Sequence, residues 1–438
     1  MATGGFSWQP QWDEKSQQLK PRADPEWRLF RKKLKEKAPW ASQIIVATDP
    51  DPAGSFISYS ISRFLKGTAT RRTYIHSLSA AGIKEAIEES FPVNDQESAP
   101  EIYGVLRNRY LILQSLTNSL KAKLGHNPWI KLVLLRLFSE SFPFTNLIGQ
   151  NGVLQLTDPI HCRYNDEIII KESTGDYQPH KTVAPLNTAS FLELLQQNGH
   201  KMSDNQDSLN RLFTSIPQEL GTGLISYPRT SASGYYRKTW EQSYQFWIKK
   251  NDAETFLPNV LWGVISDQTP HESLRPIEPS ITPSEVRPLI RKKLYDIYTR
   301  IHNHFISSIS AQNIKSVERS ILHNGRSLCE TGIIGDHHLQ ETFRTMISIS
   351  DLLHTMNAYG ASRPSGFGKL YDRLISEKWI SESGKFVSPG ETFYEKQVSQ
   401  PFQWKNWLDD LTELMNNPAV EVSKLKSTLD RMIHELPL

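Results

Sequence analysis

Two β-rich stretches separated by a helical block constrain this chain more than any other feature of its sequence. The first runs from Leu147 to about Thr182 and contains Glu167-Ile-Ile-Ile-Lys171; the second is Ile314–Leu328. Between them the apolar spacing predicts helices over Thr188–Asn198, Asn205–Gln218 and Pro283–Ser308, with a strand-like Gly223-Leu-Ile-Ser-Tyr227 among them. Sheet pieces parted in this way point to one domain inserted into another. Upstream, a predicted helix at Pro25–Lys37 precedes the β-branched run Gln43-Ile-Ile-Val-Ala47 and the turn-prone Thr48-Asp-Pro-Asp-Pro-Ala-Gly54. A helix at Ser55–Leu65, a strand at Arg72–His76 and a helix at Ala80–Ser90 complete the rhythm of a parallel α/β unit. Helical pattern fills Glu101–Leu137 and most of Ser348–Leu438. The 438 residues leave room for roughly three to five domains, and no internal repeat is evident.

Composition enters as a set of exclusions. Apolar residues at 38% and charged residues at 22% fit packed cores and argue against wholesale disorder. Apolar runs such as Trp129–Leu137 are short and broken by charge, so no transmembrane helix is expected. Met1-Ala-Thr-Gly-Gly does not read as a signal peptide, which makes a cytoplasmic location the expectation. Cys162 and Cys329 lack the spacing of a zinc ribbon, and no disulfide framework is expected. The formal net charge of +3 tolerates a nucleic-acid partner without demanding one. Local cation clusters, Arg28-Leu-Phe-Arg-Lys-Lys-Leu-Lys35 and Arg71-Arg72, read as solvated faces as readily as nucleic-acid contacts.

The segment richest in chemistry is Gly223-Leu-Ile-Ser-Tyr-Pro-Arg-Thr-Ser231. Pro228 disfavours helix at the residue before it, so Tyr227 should lie extended, with Arg229 on the same side two residues on. A phenol is almost wholly protonated at neutral pH. Bringing it from about 10 to about 7 needs roughly 4 kcal/mol of differential stabilisation, part of which a guanidinium can supply. Arginine also clamps phosphate oxygens and stabilises charge developing on them. The plain alternative is a tyrosine on a strand with an arginine beside it.

The segment resembles the active-site strand of type IA DNA topoisomerases, Gly-Leu-Ile-x-Tyr-x-Arg-Thr, with Ser231 where that family usually has aspartate. Three further elements resemble the family in its order. Pro185-Leu-Asn-Thr188 and Leu209–Ile216 look like the helices that lead to the strand. Thr269-Pro-His-Glu-Ser-Leu-Arg-Pro276 is similar to the family's His-Glu-Ala-Ile-Arg-Pro. Tyr359-Gly-Ala-Ser-Arg-Pro-Ser-Gly-Phe-Gly-Lys-Leu-Tyr371 resembles its Gly-x-Gly-Arg-Pro-Ser-Thr-Tyr turn, opening a helix and a hairpin at Trp379–Pro389. The resemblance implies Tyr227 as nucleophile, Arg229 and His271 as its catalytic partners, and Arg275, Arg363 and Ser365 as DNA contacts. For the last element, a helix capped by Ser365 accounts for the local pattern equally well.

Ala47-Thr-Asp49-Pro-Asp51-Pro-Ala53-Gly54-Ser55 resembles the Toprim metal loop, Asp-x-Asp-x-Glu-Gly-Glu, which implies Mg²⁺ at Asp49 and Asp51. Ala53 and Ser55 stand where the family has glutamates, and Pro52 where it has arginine. Taken alone, Asp-Pro-Asp-Pro is a turn. No stretch matches the family's opening strand, which carries an acidic residue and a lysine, and none cleanly matches its Gly-Arg-Val-Gln element.

The implied fold is multidomain α+β: an α/β Toprim domain, mostly helical domains and a small β-rich domain, arranged as the family's toroid. The implied boundaries are a Toprim-like domain at 1–95, helical parts at 96–146 and 348–438, β-rich arch parts at 147–182 and 309–347, and a tyrosine-bearing domain at 183–308. The implied activity is ATP-independent cleavage, passage and religation of single DNA strands through a 5′-phosphotyrosine, relaxing negatively supercoiled DNA. No Gly-x-x-x-x-Gly-Lys loop is present, in keeping with that reading. DNA, mainly single-stranded or underwound, is the expected partner of a nucleoid-associated monomer, with a helicase partner left open. Two other readings stand beside it: a catalytically impaired, topoisomerase-like DNA-binding paralogue, and another Toprim enzyme such as a nuclease or primase.

Overall fold

The computed structural model describes residues 10–13, 15, 18–21, 25–48, 54, 57–58, 61–62, 64–65, 70–75, 80–93, 99–139, 142–149, 152–163, 166–180, 183–196, 201–250, 257–258, 264–266, 271–323, 326–330, 339–381 and 402–437. The chain forms two compact units, one of residues 1–131 with 406–438, the other of residues 132–405.

In the first unit β1 (Pro10–Asp13) and β2 (Gln18–Pro21) make an antiparallel pair. α1 (Pro25–Lys37) follows. Then β3 (Ile44–Ala47) lies parallel to β4 (Thr70–Thr73), and the described residues between 54 and 64 are helical. Parallel neighbours need such a crossover, because a tight turn can only reverse the chain. β5 (Phe91–Pro92), after α2 (Ala80–Glu88), returns antiparallel to β4. Phe30 and Leu34 of α1, four apart on one helix face, pack with Ala38, Val46, Ile61 and Leu65 into the core beneath this sheet.

The helical pattern expected over Glu101–Leu137 is two helices, α3 (Ala99–Leu124) and α4 (Pro128–Ser139). Gly125 (φ 71°) and Asn127 (φ 54°) take left-handed backbone that no helix can continue, and their residue types tolerate it. α12 (Trp404–Asn416) and α13 (Val422–His434) complete this unit. Asn108 of α3, fully buried, donates to the carbonyls of Leu414 (3.2 Å) and Asn417 (2.6 Å). Gly104 admits the same loop, since a Cβ there would stand 2.6 Å from the Pro418 carbonyl oxygen.

The second unit joins the two β-rich stretches in one seven-stranded sheet. β6 (Phe142–Gly149), β7 (Gly152–Cys162) and β8 (Glu167–His180) come from the first stretch; β12 (Ser310–His323), β13 (Arg326–Glu330) and β14 (Leu339–Met346) come from the second. β8 runs antiparallel to β12 from Ile168 opposite His323 to His180 opposite Gln312, with a bulge between Lys315 and Val317. Its other edge takes β14. β10 (Leu257–Pro258) adds to β12, and β7 is the edge strand at the far side. Its buried Cys162 has a thiol pushed up to about 11, by burial first and the charge of Asp166 second.

Between the sheet's two halves the chain builds α5 (Thr188–Gln196), α6 (Met202–Thr214), α7 (Arg237–Lys250), α8 (Pro283–Val286) and α9 (Lys292–Ile309). A short parallel pair, β9 (Tyr235–Tyr236) and β11 (Val264–Ile265), flanks α7. The single helix expected over Pro283–Ser308 is α8 and α9: Pro288 has no N–H to give, and the chain turns before Lys292. α9 is strongly amphipathic. Its Ile297, Tyr298 and Ile301 close a core with Phe191, Leu195, Leu209, Leu212, Leu224, Ile225 and Leu274. α10 (Ile349–Ala358) and α11 (Phe367–Ser376) follow the last strand. Most of the hairpin expected at Trp379–Pro389 lies outside the described residues. The sum is a multidomain α+β fold. Among the described residues no helix is long and apolar enough to cross a membrane.

Candidate functional site

Tyr227 sits in a frame of three short segments, 186–188, 224–230 and 272–277, cross-bonded through backbone and small hydroxyls. Gly223–Tyr227 does not become a sheet strand. It makes one isolated antiparallel bridge, Ile225 with Pro276, flanked by Ser226 N–H to the Arg275 carbonyl (2.9 Å) and Ile277 N–H to the Leu224 carbonyl (3.1 Å). A ladder cannot grow past it, because Pro276 and Pro228 both lack the donor. Side chains take over. Ser226, 1% exposed, donates its hydroxyl to the Ser273 carbonyl (3.1 Å) and accepts from Arg275 N–H (3.1 Å). Thr188, at the first turn of α5, bonds through Oγ1 to the carbonyls of Pro228 and Thr230 and accepts from Thr230 N–H, each at 2.8 Å. The residues on both sides of Tyr227 are therefore buried and pinned, while Tyr227 itself is only half-buried.

Its ring lies between two others. Phe213 of α6 meets it edge-on, centroids 5.5 Å apart at 85°. The imidazole of His271 leans over it at 4.2 Å and 34°. The structure thus joins two residues that sequence reasoning paired across 44 positions. Arg229 is exposed, and its Nε donates to Oδ1 of Asn210, also on α6, at 3.3 Å. Asn210 and Phe213 are three apart and neighbours on one helix face, so Tyr227 and Arg229 both turn toward that face. The nearby Tyr235 offers a contrast. It is fully buried against Ser308 (2.8 Å), and burial lifts its phenol far above the usual range. Of the two, Tyr227 is the one that is not fully buried.

Arg275 departs from expectation. The sequence reading makes it a DNA contact, but the guanidinium is buried at 9% exposure. Nε and one terminal nitrogen reach Glu272 Oε1 at 2.7 and 2.6 Å, and the other bonds the carbonyls of Pro276 and Ile277 at 2.8 and 3.0 Å. Glu272 also accepts from Tyr236 N–H (3.3 Å). Arg275 braces the loop that presents His271 and has its donors turned inward.

Arg363 and Ser365 lie in a turn after α10, entered through Gly360 (φ 62°) and closed by a 3₁₀ turn at Pro364–Gly366. Ser365 is exposed and caps nothing; Gly366 holds the cap position of α11. The cap comes instead from α6. Gln206 accepts from Gly368 N–H through Oε1 (2.7 Å) and donates through Nε2 to the Pro364 carbonyl. The exchange is mutual: Asp372 of α11 accepts from Met202 and Ser203 N–H of α6, each at 3.0 Å. A Cβ on Gly368 would come within 2.8 Å of Gln206 Oε1, the Met202 carbonyl oxygen and Ser203 Cα, so only glycine permits this approach. Gln206, Asn210 and Phe213 fall at i, i+4 and i+7. One face of α6, about 10 Å long, therefore holds the Arg363 turn, Arg229 and Tyr227 in line. Sequence reading missed these residues, although i, i+4, i+7 spacing was their only available signal.

Asp49 and Asp51, with Pro52, Ala53 and Ser55, lie outside the described residues. Among the described residues no group of three or more His, Cys, Asp or Glu side chains gathers for a metal.

The solved structure of full-length topoisomerase I from Thermotoga maritima has this fold: TM-score 0.61 at 14% identity, over 96% of this chain and 82% of that one. In sequence the chain is 24% identical to DNA topoisomerase 1 of Mycoplasmoides gallisepticum over 341 residues, 63% of this chain and 47% of the relative. It is 21% identical to DNA topoisomerase 1 of Campylobacter jejuni over 350 residues, 69% of this chain and 50% of the relative. The chain thus shares the fold of a topoisomerase I and is similar in sequence to DNA topoisomerases 1. A reverse gyrase of Pyrococcus furiosus is 23% identical over 262 residues, 57% of this chain and 21% of that protein. The chain spans about half the length of the curated topoisomerases it matches. No family model matches it.

Proposed function

We propose that the chain cleaves and reseals single DNA strands without ATP, through a phosphotyrosine link at Tyr227, and so relaxes negatively supercoiled DNA. The observation that carries this reading is the half-buried Tyr227 ring, held in a pinned frame beside His271 and on the α6 face that also holds Arg229. In the step proposed, the phenol oxygen loses its proton and bonds to phosphorus. The bond to the 3′-oxygen breaks, and that oxygen leaves with the electron pair and takes up a proton. The 5′-phosphate stays on Tyr227 until the 3′-hydroxyl attacks in reverse. Bond energy is kept in the phosphotyrosine, so no nucleotide need be hydrolysed. Arg229 would oppose charge building on the phosphate oxygens, and His271 would hydrogen-bond the phosphate next to the scissile one. Arg363, half-buried at its turn, would hold the strand further along.

A Toprim domain in the amino-terminal unit and Mg²⁺ at Asp49 and Asp51 belong to the same proposal and rest on sequence alone. Ala53, standing where the family has glutamate, favours a second reading, a DNA-binding paralogue with impaired turnover.

Covalent trapping separates the two. Labelled single-stranded DNA is incubated with the protein, the mixture is denatured, and labelled protein is sought. An adduct with the wild type that is lost in Tyr227→Phe supports cleavage. Salt-sensitive binding without an adduct supports the paralogue. Plasmid relaxation with and without Mg²⁺ tests the metal, and an Asp49→Ala/Asp51→Ala protein that relaxes as well as wild type removes it from the proposal.

A further inference from the structure

The larger of the two cation clusters in the sequence takes no part in the tyrosine site. Residues 25–40 carry six cations, Arg28, Arg31, Lys32, Lys33, Lys35 and Lys37, against Glu26 and Glu36. Six minus two is +4, so this stretch alone carries more net positive charge than the +3 of the whole chain. Folding sorts these charges. Phe30 and Leu34 turn α1 onto its core, and Arg28, Arg31, Lys32 and Lys35, at i, i+3, i+4 and i+7, form a ridge on another face. All four are exposed. Two of them are braced on an aromatic ring: Arg31 Cζ lies 4.4 Å and Lys35 Nζ 5.5 Å from the Phe64 centroid. That contact fixes their side chains before any ligand arrives. Just past the helix, in the 3₁₀ turn Ala38–Trp40, the indole of Trp40 stands 88% exposed.

We propose that α1 and Trp40 form a second binding surface, for single-stranded nucleic acid, within the amino-terminal unit. The ridge would track phosphates and Trp40 would stack on a base. The indole selects the strand state: in a duplex the base faces are covered by their neighbours, whereas a single strand offers them free. An anionic membrane surface shares the charge but has no flat face to stack.

The test uses the full chain carrying Tyr227→Phe, so that covalent capture contributes nothing and the outcome does not depend on cleavage. Fluorescence anisotropy of a labelled oligodeoxythymidylate is followed across a salt series. Trp40→Ala should weaken binding about tenfold. Replacing Arg28, Lys32 and Lys35 by Gln should flatten the slope of log K against log salt by about 2, at roughly 0.7 per single-strand phosphate contact. Lys424→Gln/Lys426→Gln, exposed cations of α13, should change neither. Circular dichroism of each variant should match the parent, since every substituted side chain is exposed. An unchanged affinity and slope would overturn the proposal. So would loss of binding to phosphatidylserine vesicles with oligonucleotide binding intact, or equal Trp40 dependence on a duplex of the same length.

Discussion

The frame around Tyr227 and the turn around Arg363 hold their functional residues by different means. The frame is self-sufficient: Thr188, Ser226, Glu272 and Arg275 close its bonds among three neighbouring segments, and all four are buried. The turn borrows. Its Pro364 carbonyl and Gly368 N–H are both satisfied by Gln206 of α6, and α11 repays the helix through Asp372. A motif of the first kind keeps its geometry wherever the frame folds. One of the second kind has its geometry only while two helices stay docked.

The largest expected effect falls on the frame. Glu272→Ala leaves the Arg275 guanidinium buried without its carboxylate and should cost about 3–5 kcal/mol, read from urea unfolding of the full chain. A cost below about 1 kcal/mol would mean that the frame is less self-sufficient than its bonds suggest. Next comes the joint between α5 and α10, where Glu193 Oε1 accepts from Ile349 N–H at 3.0 Å. Burial, with the charge of Asp351 second, raises its carboxyl from 4.5 to about 7, against the pull of the Ile349 and Ser350 amides. The folded state therefore keeps the proton to higher pH than the unfolded chain. That contribution is whole below about pH 4.5 and fades as pH climbs through about 7, a loss of about 3 kcal/mol. Thermal midpoints should fall over that window, and Glu193→Gln should flatten the fall.

Gly368→Ala should cost about 1–3 kcal/mol by overpacking. Gln206→Ala should not rescue it, because Met202 and Ser203 backbone atoms crowd the same position. Asp372→Ala removes two acceptors from the start of α6 and should cost about 1 kcal/mol. Smallest in stability is Asn210→Ala, expected within about 0.5 kcal/mol of wild type. Its consequence should lie elsewhere: Arg229 loses its support, and covalent trapping should slow while DNA affinity holds. If trapping is unchanged, α6 does not position the arginine.

The sequence made some of this legible for a physical reason. Local determinants, such as the helix at Pro25–Lys37 and the Tyr-Pro-Arg stretch, depend on neighbouring residues and could be read directly. The meeting of Tyr227 with His271 was legible only through family order. Arg275 was not legible, because Arg after His-Glu-Ser-Leu looks the same whether it faces phosphate or Glu272, and only the folded chain shows it turned to Glu272. The bonds of Gln206 to residues 158 and 162 positions away left no local trace at all. Gly223–Tyr227 carries strand-like residues, but the prolines that end its pairing lie on two different segments.

The edge strand β7 has a practical consequence of its own. A thiol held near 11 is only about one part in a thousand thiolate at pH 8, and Cys162 is shielded besides. Alkylating reagents must wait for a local opening that uncovers the Cys162 thiol. The rate at which Cys162 itself is labelled would therefore clock local opening at the edge of the seven-stranded sheet.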